Sequence, residues 1–133
     1  MQITRQADYA IRAMLYLANM LPGERAATSQ IAETKKIPSS FLAKIISQLS
    51  IAGLIHTSRG AHGGVTLARQ PGEISLLDVV EAIDGPISLN DCTLDPLVCG
   101  FSDECPIHPL WCDTQAELVE RLRGATFDQF IKN

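Results

Sequence analysis

Apolar side chains recur every three or four residues along most of the chain, which is the spacing of an amphipathic helix. Residues 4–21 show this period most clearly, with Thr4 as the expected N-cap and Pro22-Gly23 as the expected end. The same period returns in four later segments, residues 28–33, 39–50, 75–84 and 109–123. The chain is therefore predicted to be mainly α-helical.

Residues 28–50 predict two helices joined by a tight break at residues 35–38, with Thr28 or Ser29 capping the first. The second helix, Ser39 to Ser50, has two distinct faces. Its expected buried stripe is Phe41, Leu42, Ile45, Ile46 and Leu49. The opposite face holds Ser40, Ala43, Lys44, Ser47 and Gln48. Two helices joined this closely form a helix-turn-helix, whose second helix enters the major groove of DNA, although an amphipathic hairpin within a helical core would give the same pattern.

Two short β-prone runs, residues 54–57 and 65–68, flank the sequence SRGAHGG at residues 58–64. This order predicts a β-hairpin wing with Arg59 and His62 at its tip. The glycines, Gly63 among them, would let the backbone approach phosphates, although ordinary turn chemistry would also account for them.

The C-terminal half predicts two further helices. Ser75 and Asp78 have the spacing of a capping box at the start of the helix over residues 75–84. Pro109 is expected to open the last helix, which carries an apolar seam of Trp111, Leu118, Val119 and Leu122. We expect this seam to be buried against a second copy of the chain, giving a symmetric dimer that matches a palindromic operator. A closing turn over residues 126–131 would use Phe127 and Phe130 as apolar plugs.

These elements predict a mainly α fold with a small β-hairpin wing: a winged helix-turn-helix followed by a long C-terminal dimerisation helix. The expected division is a DNA-binding domain at residues 1–84, a cysteine-rich loop at residues 85–108, and a dimerisation helix with a short turn at residues 109–133. No internal repeat or low-complexity tract interrupts this division.

Charge is distributed unevenly between the two halves of the chain. The net charge of −4 combines +5 in residues 1–69, which hold eight Lys/Arg and three Asp/Glu, with −9 in residues 70–133, which hold three and twelve. A basic winged helix is the electrostatic footprint expected of a double-stranded DNA-binding module. The candidate DNA contacts are Arg5, Thr28, Ser39, Ser40, Lys44, Ser47, Gln48, Arg59, His62 and Gly63.

Composition narrows the function classes further. No apolar run reaches the roughly 18–20 residues that a membrane span needs, and the start of the chain lacks a signal-like apolar block, so we expect a cytoplasmic protein with no membrane partner. The sequence shows no nucleotide-binding loop and no nucleophile–base spacing, so we expect no enzyme.

All four cysteines fall within residues 91–112, DCTLDPLVCGFSDECPIHPLWC, at Cys92, Cys99, Cys105 and Cys112. His108 follows Cys105 by three residues, and three prolines and Gly100 prevent one continuous helix here. Clustered cytosolic cysteines favour metal ligation or redox chemistry over structural disulfides. An iron–sulfur cluster, a structural zinc ion and a pair of redox thiols all fit this segment.

The chain resembles the Rrf family of bacterial winged-helix regulators, especially its iron–sulfur members of the IscR, NsrR and RirA types. The resemblance covers essentially the whole chain. It is carried by TRQADYAIRAMLYLA at 4–18, Ile37-Pro38 at the helix-turn-helix break, RGAHGG at 59–64, ISLLDVVEAIDG at 74–85 and the cysteine segment.

The resemblance implies an iron–sulfur cluster with Cys92, Cys99 and Cys105 as ligands. The IscR type would add His108 as the fourth ligand of a 2Fe–2S cluster, whereas the NsrR type would add Asp8 from the partner subunit to a 4Fe–4S cluster. The six-residue gap between Cys92 and Cys99 departs from the five-residue gap of the IscR type. Ala43 also replaces the acidic residue that the IscR type uses to discriminate between operators, so a different operator is implied.

Overall fold

The computed structural model describes residues 2–60, 63–94 and 104–131. Within them the helices are α1 (Arg5–Ala18), α2 (Thr28–Lys35), α3 (Ser39–Ile51), α4 (Leu76–Asp84), α5 (Asp91–Leu94) and α6 (His108–Arg123). Strands β1 (Ile55–Ser58) and β2 (Gly64–Leu67) form one antiparallel hairpin, and 3₁₀ turns lie at Pro71–Glu73 and Phe127–Phe130. The predicted fold class, mainly helical with a hairpin wing, is confirmed. Within this described part, no helix has both the length and the apolar character to span a membrane.

Helix α1 lies at the centre of the fold. Its Thr4 cap is as predicted, because the Thr4 hydroxyl accepts a hydrogen bond from the backbone N–H of Ala7 at 3.1 Å. The same hydroxyl donates to Asp84 Oδ1 at 2.5 Å and so joins the start of α1 to the end of α4. The helix ends three residues earlier than predicted, since the Asn19 side chain donates to the carbonyl of Leu15 at 2.8 Å and satisfies the last turn.

Three fully buried alanines let neighbouring helices approach α1 closely. Ala7, Ala10 and Ala13 have no exposed surface, and α1 contacts α2, α3, α4, β2 and the C-terminal 3₁₀ turn. The main core around α1 is formed by large side chains from nearly every element: Met14, Ile31, Leu42, Ile45, Leu49, Ile55, Val65, Ile74, Val79 and Phe127.

The helix-turn-helix forms where it was predicted, with two local corrections. Thr28 is the first residue of α2 and not its cap: Ala27 occupies the cap position, and its backbone N–H is satisfied by Gln30 Oε1 at 3.1 Å. Lys36 ends α2 in the left-handed conformation (φ 55°, ψ 50°), which turns the chain sharply toward α3. Phe41 is 41% exposed and lies outside the buried stripe, because its ring packs against the Tyr9 ring at the surface with centroids 6.0 Å apart.

The wing pairs Ile55 with Leu67 and Ser58 with Gly64, so each strand begins close to its predicted position. A further antiparallel bridge joins Val65 to Ala26, just before α2. Both backbone hydrogen bonds of this bridge form, at 3.1 and 2.8 Å. The wing is therefore fastened to the helix-turn-helix through backbone contacts as well as through the connection after α3.

Helix α6 packs against α4 within the same chain. The Ser75–Asp78 capping box that starts α4 is confirmed, with reciprocal hydrogen bonds of 2.9 and 3.0 Å. A second, smaller core joins the two helices through Leu77, Val80, Ile87, Leu118, Val119 and Leu122. Leu118, Val119 and Leu122 of the predicted seam are thus partly buried against α4 in the same chain, and burial of the seam against a second copy stays a prediction.

The chain returns to the main core after α6. The backbone N–H of Phe127 donates to the carbonyl of Ile74 at 3.1 Å, and the Phe127 ring is 1% exposed. Phe127 is therefore buried in the core, as predicted. Phe130, which was also expected to be buried, lies at the surface with 46% of its area exposed.

Replacing Phe127 with alanine should lower the free energy of unfolding by about 3–5 kcal/mol, because it removes a fully buried ring from the main core. Urea unfolding at one fixed protein concentration measures the change. The matched control is Phe130→Ala, three residues away, for which we expect a loss below about 1 kcal/mol. Equal losses from the two substitutions would contradict the assignment of Phe127 as the anchor of the C-terminal turn.

Candidate nucleic-acid interface and cysteine segment

An open groove of about 490 Å³ lies between the start of α2, the exposed face of α3 and the wing. Four of the predicted DNA contacts line it: Thr28, Ser47, Arg59 and Gly63. They come from three separate parts of the chain, α2, α3 and the wing, and packing of the wing against the helix-turn-helix brings them together. The exposed face of α3 and the wing therefore form one continuous surface.

The other predicted contacts lie outside this groove. Ser39, Ser40 and Lys44 are exposed on the first turns of α3, and Arg5 is exposed at the start of α1. His62 falls outside the described residues. Gln48 is half-buried, and its side-chain carbonyl oxygen is buried without a hydrogen-bond partner among the residues described.

The structure adds groove residues that were not predicted from the sequence, among them Ala27, Ser50, Thr57 and Ser58, and Ala43 of the predicted exposed face of α3 lines the groove as well. Ser50 lies one turn after Ser47 on the same helix, and that spacing was a usable signal. Thr57 and Ser58 gave no local signal, because their place depends on how the wing packs. Arg25 was also not predicted: its guanidinium donates to the Ser58 hydroxyl at 3.3 Å, which brings a further cation to the end of strand β1.

The wing itself accounts for the glycine at position 63. A Cβ atom there would lie 3.0 Å from Arg59 Cα and closer still to Arg59 C and the Ser58 carbonyl oxygen, all of which are backbone atoms. The N–H of Gly63 donates to the carbonyl of Gly60 at 2.9 Å, which closes the tip of the hairpin. Gly63 is therefore needed for the shape of the wing, whether or not its backbone also contacts a ligand.

The chemistry of the groove suits a phosphodiester backbone and base edges. Its hydroxyls come from Thr28, Ser47, Ser50, Thr57 and Ser58, and Arg59 supplies a guanidinium. Hydroxyl and guanidinium groups make most protein contacts to DNA phosphates and also reach base edges. The exposed face of α3 carries small side chains, so its backbone can come close to a groove of the duplex.

The cysteine segment joins α4 to α6. Cys92 is buried on the short helix α5, which packs against α6. Cys105 precedes α6 and Cys112 lies in its second turn; both are half-buried, and neither forms a disulfide. Gln115 of α6 accepts a hydrogen bond from the N–H of Leu89 at 3.0 Å, which holds the start of the segment against the helix. Cys99 lies outside the described residues.

The two candidates for a fourth ligand lie in different environments. His108 is the first residue of α6, and its Nε2 lies 3.5 Å from Cys112 Sγ. Asp8 of α1 is exposed and forms an ion pair with Arg12 at 2.9 Å. Over residues 2–60, 63–94 and 104–131, no three His, Cys, Asp or Glu side chains come together as a metal site.

Three large apolar side chains are exposed to solvent at the start of α6 and at the residue just before it. Ile107, Leu110 and Trp111 are 50%, 61% and 38% exposed, respectively. They lie within five consecutive residues next to the cysteine segment, and α4 does not cover them. Such a cluster is typical of a surface that a partner covers.

Comparison with known proteins gives concordant results. Residues 3–133 match the family model of Rrf2, described as an iron-dependent transcriptional regulator. Protein aau3 of Rhizobium meliloti (strain 1021) is 33% identical over 134 residues, covering 99% of this chain and 86% of that protein.

Two solved structures share the fold. The structure of CymR (YrzC), the global cysteine regulator of B. subtilis, superposes with a TM-score of 0.83 at 27% identity, covering 98% of this chain and 95% of that one. The structure of T. potens IscR superposes with a TM-score of 0.77 at 23% identity, covering 98% and 85%. The second likeness concerns the fold alone.

Replacing Arg59 with alanine should weaken binding to duplex DNA, because one phosphate contact is lost. The association constant falls with salt, and the magnitude of the negative slope of its logarithm against the logarithm of the salt concentration should decrease by about 1. Fluorescence anisotropy with a random-sequence duplex over a salt series measures both quantities. The matched control is Arg121→Ala, since Arg121 is an exposed arginine on α6 that does not line the groove. An unchanged slope for Arg59→Ala, or an equal loss for Arg121→Ala, would contradict this placement of the interface.

Proposed function

The chain belongs to the Rrf2 family of transcriptional regulators, and on that basis we propose that it acts as a homodimer whose operator binding is controlled by an iron–sulfur cluster. It is a DNA-binding regulator and not an enzyme, as is the family it belongs to. A palindromic operator would match a two-fold dimer, and the protein would act in the cytoplasm, where that DNA is found. The observation that carries the cluster proposal is the placement of three of the four cysteines, Cys92, Cys99 and Cys105, in the segment that leads into α6.

The donor set of this segment fits an iron–sulfur cluster. Cys92, Cys99 and Cys105 would supply three thiolates, which are the ligands that iron–sulfur clusters prefer. Cys92 is buried, so its sulfur is shielded from bulk solvent. Bound there, the cluster would supply redox chemistry and sensitivity to iron, oxygen or nitric oxide, while the chain's own residues hold it and respond to its loss.

The fourth ligand would be His108 or, alternatively, Asp8 of the partner subunit. His108 follows Cys105 by one turn of backbone, and its N–H donates to the Cys105 carbonyl at 3.3 Å, so both belong to one local unit. Asp8 pairs with Arg12 through one carboxylate oxygen, Oδ2, and would have to reach the cluster from a second subunit. His108 is therefore the choice that the local geometry favours.

The coupling to DNA would run through α6. Cys105 and His108 lie at the start of this helix, and α6 packs on α4, which packs on α1 and α3. Fixing the start of α6 would set how two copies meet and hence the spacing of the two grooves. Loss of the cluster would release that constraint and weaken operator binding.

A thiol-switched regulator without a cluster is the second candidate. The structural likeness to CymR, a cysteine regulator, favours it at 27% identity. Cys105, just before α6, and Cys112, in its second turn, are both outside disulfides, so an external oxidant such as peroxide has two thiols to act on. In that case the cysteines would carry the signal by forming a disulfide, and no metal would be needed.

Anaerobically purified protein should be brown, with two or four irons and matching sulfide per chain. Cys92→Ser and Cys105→Ser should each lower the iron content at least tenfold, because the cluster loses a thiolate. The matched control is His56→Gln, an exposed histidine on the wing strand β1, which should retain the iron. A colourless wild-type protein, with stoichiometric zinc or without metal, would contradict the cluster proposal but not the assignment as a transcriptional regulator.

Replacing Trp111 with lysine should raise the dissociation constant of the dimer at least tenfold, since it places a charge among the exposed apolar side chains of α6. Analytical ultracentrifugation over a concentration series measures this constant. Leu21→Lys is the matched control, because Leu21 is 70% exposed in the loop after α1, away from α6. A monomeric wild-type protein, or equal effects of the two lysines, would count against the α6 interface.

A further inference from the structure

Arg25 is an exposed arginine in the connection between α1 and α2, just before the helix-turn-helix. It was not among the residues predicted to contact DNA, and it does not line the groove itself. Its guanidinium nevertheless donates to the hydroxyl of Ser58, which lies at the end of β1 and lines the groove. A cation from outside the predicted DNA-binding elements is therefore held at the edge of the groove.

The backbone of Arg25 is positioned by the bridge that fastens the wing to the chain before α2. Ala26, the next residue, exchanges two backbone hydrogen bonds with Val65, at 3.1 and 2.8 Å. Ala26 is also buried, with 1% of its surface exposed. Because its neighbour is bonded and buried, the Arg25 side chain starts from a defined point beside β2.

The wing leaves room for this side chain at Gly64. A Cβ atom at Gly64 would lie 3.0 Å from Arg25 Cβ, so the arginine packs directly over the backbone of this glycine. Gly64 on β2 pairs with Ser58 on β1, and theirs is the last pair of the hairpin before its tip. The arginine side chain therefore crosses the hairpin from Gly64 to Ser58, where its Nη1 lies 3.3 Å from the hydroxyl oxygen.

The chemistry of a guanidinium at this place suits a DNA phosphate. It carries five N–H donors, so a hydrogen bond to a hydroxyl is compatible with contact to phosphate oxygens. Arg59, which lines the groove, directly follows Ser58 in the chain. Two arginines from different segments thus bring positive charge to the same end of the wing, within the half of the chain whose net charge is +5.

We propose that Arg25 is a further DNA-binding residue, which contacts a phosphate of the duplex at the edge of the groove. This inference rests on the placement of DNA in the groove and adds a contact from outside the helix-turn-helix and the wing. Ser58 and Gly64 are positioning residues for it, because the hydroxyl holds the guanidinium and the glycine leaves the space that the side chain crosses. Phosphate contacts carry no direct sequence information, so Arg25 strengthens binding to all duplexes alike.

The test measures binding of the full chain to a random-sequence duplex by fluorescence anisotropy over a salt series. Arg25→Gln removes the charge and keeps an amide that can donate to Ser58. It should lower the magnitude of the negative slope of log K against log salt by about 1. The ratio of the wild-type to the variant association constant should then fall about threefold between about 50 and about 200 mM salt. Arg25→Lys keeps the charge and should keep the slope.

Arg121→Ala on α6 is the matched control and should leave the slope unchanged. An unchanged slope for Arg25→Gln would overturn the proposal, and so would an equal loss of slope in Arg25→Lys, which retains the charge. Arg59→Ala in the same series separates this inference from the wider hypothesis. A reduced slope for Arg59→Ala beside an unchanged slope for Arg25→Gln would refute the Arg25 contact alone. Unchanged slopes in both variants would refute the placement of DNA in the groove as well.

Discussion

Close packing against α1 is the constraint on which the other elements depend. Ala7, Ala10 and Ala13 are fully buried, and they allow α1 to touch the helix-turn-helix, the wing, α4 and the C-terminal turn at once. Larger side chains at these positions would push the neighbouring helices apart at a cost of about 1–3 kcal/mol each. This one helix determines the geometry of the groove between α3 and the wing. It also determines how α6 docks on α4. The groove and the cysteine segment are therefore parts of one packed unit.

The two functional surfaces are built in different ways. The groove unites residues distant in sequence, and it acquires its shape only when Val65 bonds to Ala26 and the wing closes against α2. The cysteine segment is local: Cys105, His108 and Cys112 follow one another over two turns at the start of α6. A metal or redox event there would act on a short stretch of backbone. In the proposed regulator, its effect on DNA would be carried by the packing of α6 on α4 and of α4 on α1 and α3.

Features that depend on neighbouring residues in sequence could be predicted well. The Thr4 cap, the Ser75–Asp78 capping box and the break before Pro38 follow from local hydrogen bonding and backbone restriction. Features that depend on tertiary packing could not. Helical periodicity alone could not show that Phe41 would leave the core to pack on Tyr9, and Phe130 looks as apolar in sequence as Phe127.

The residues of the candidate sites divide in the same way, into those that the local sequence predicts and those that tertiary packing places. The cysteine spacing and the basic N-terminal half could be read directly, and four of the ten predicted DNA contacts line the groove. Thr57 and Ser58 line it as well, but only the angle between the wing and α3 places them there. The contact of Leu118, Val119 and Leu122 with α4 was not predicted, because an apolar stripe does not indicate which surface it packs against.

Because the chain returns to the main core directly after α6, the C-terminal end of this helix is held in place. Phe127 and its hydrogen bond to Ile74 anchor the C-terminal end, while none of the residues of α6 is fully buried along its length. Its 16 residues span about 24 Å, so a tilt of about 5° around the anchored end moves the start of the helix by about 2 Å. A small displacement at Cys105 and His108 would therefore change the direction of α6 while its anchored end stays in place. A shift no larger than a bond length or two at the segment is enough to reorient the whole helix.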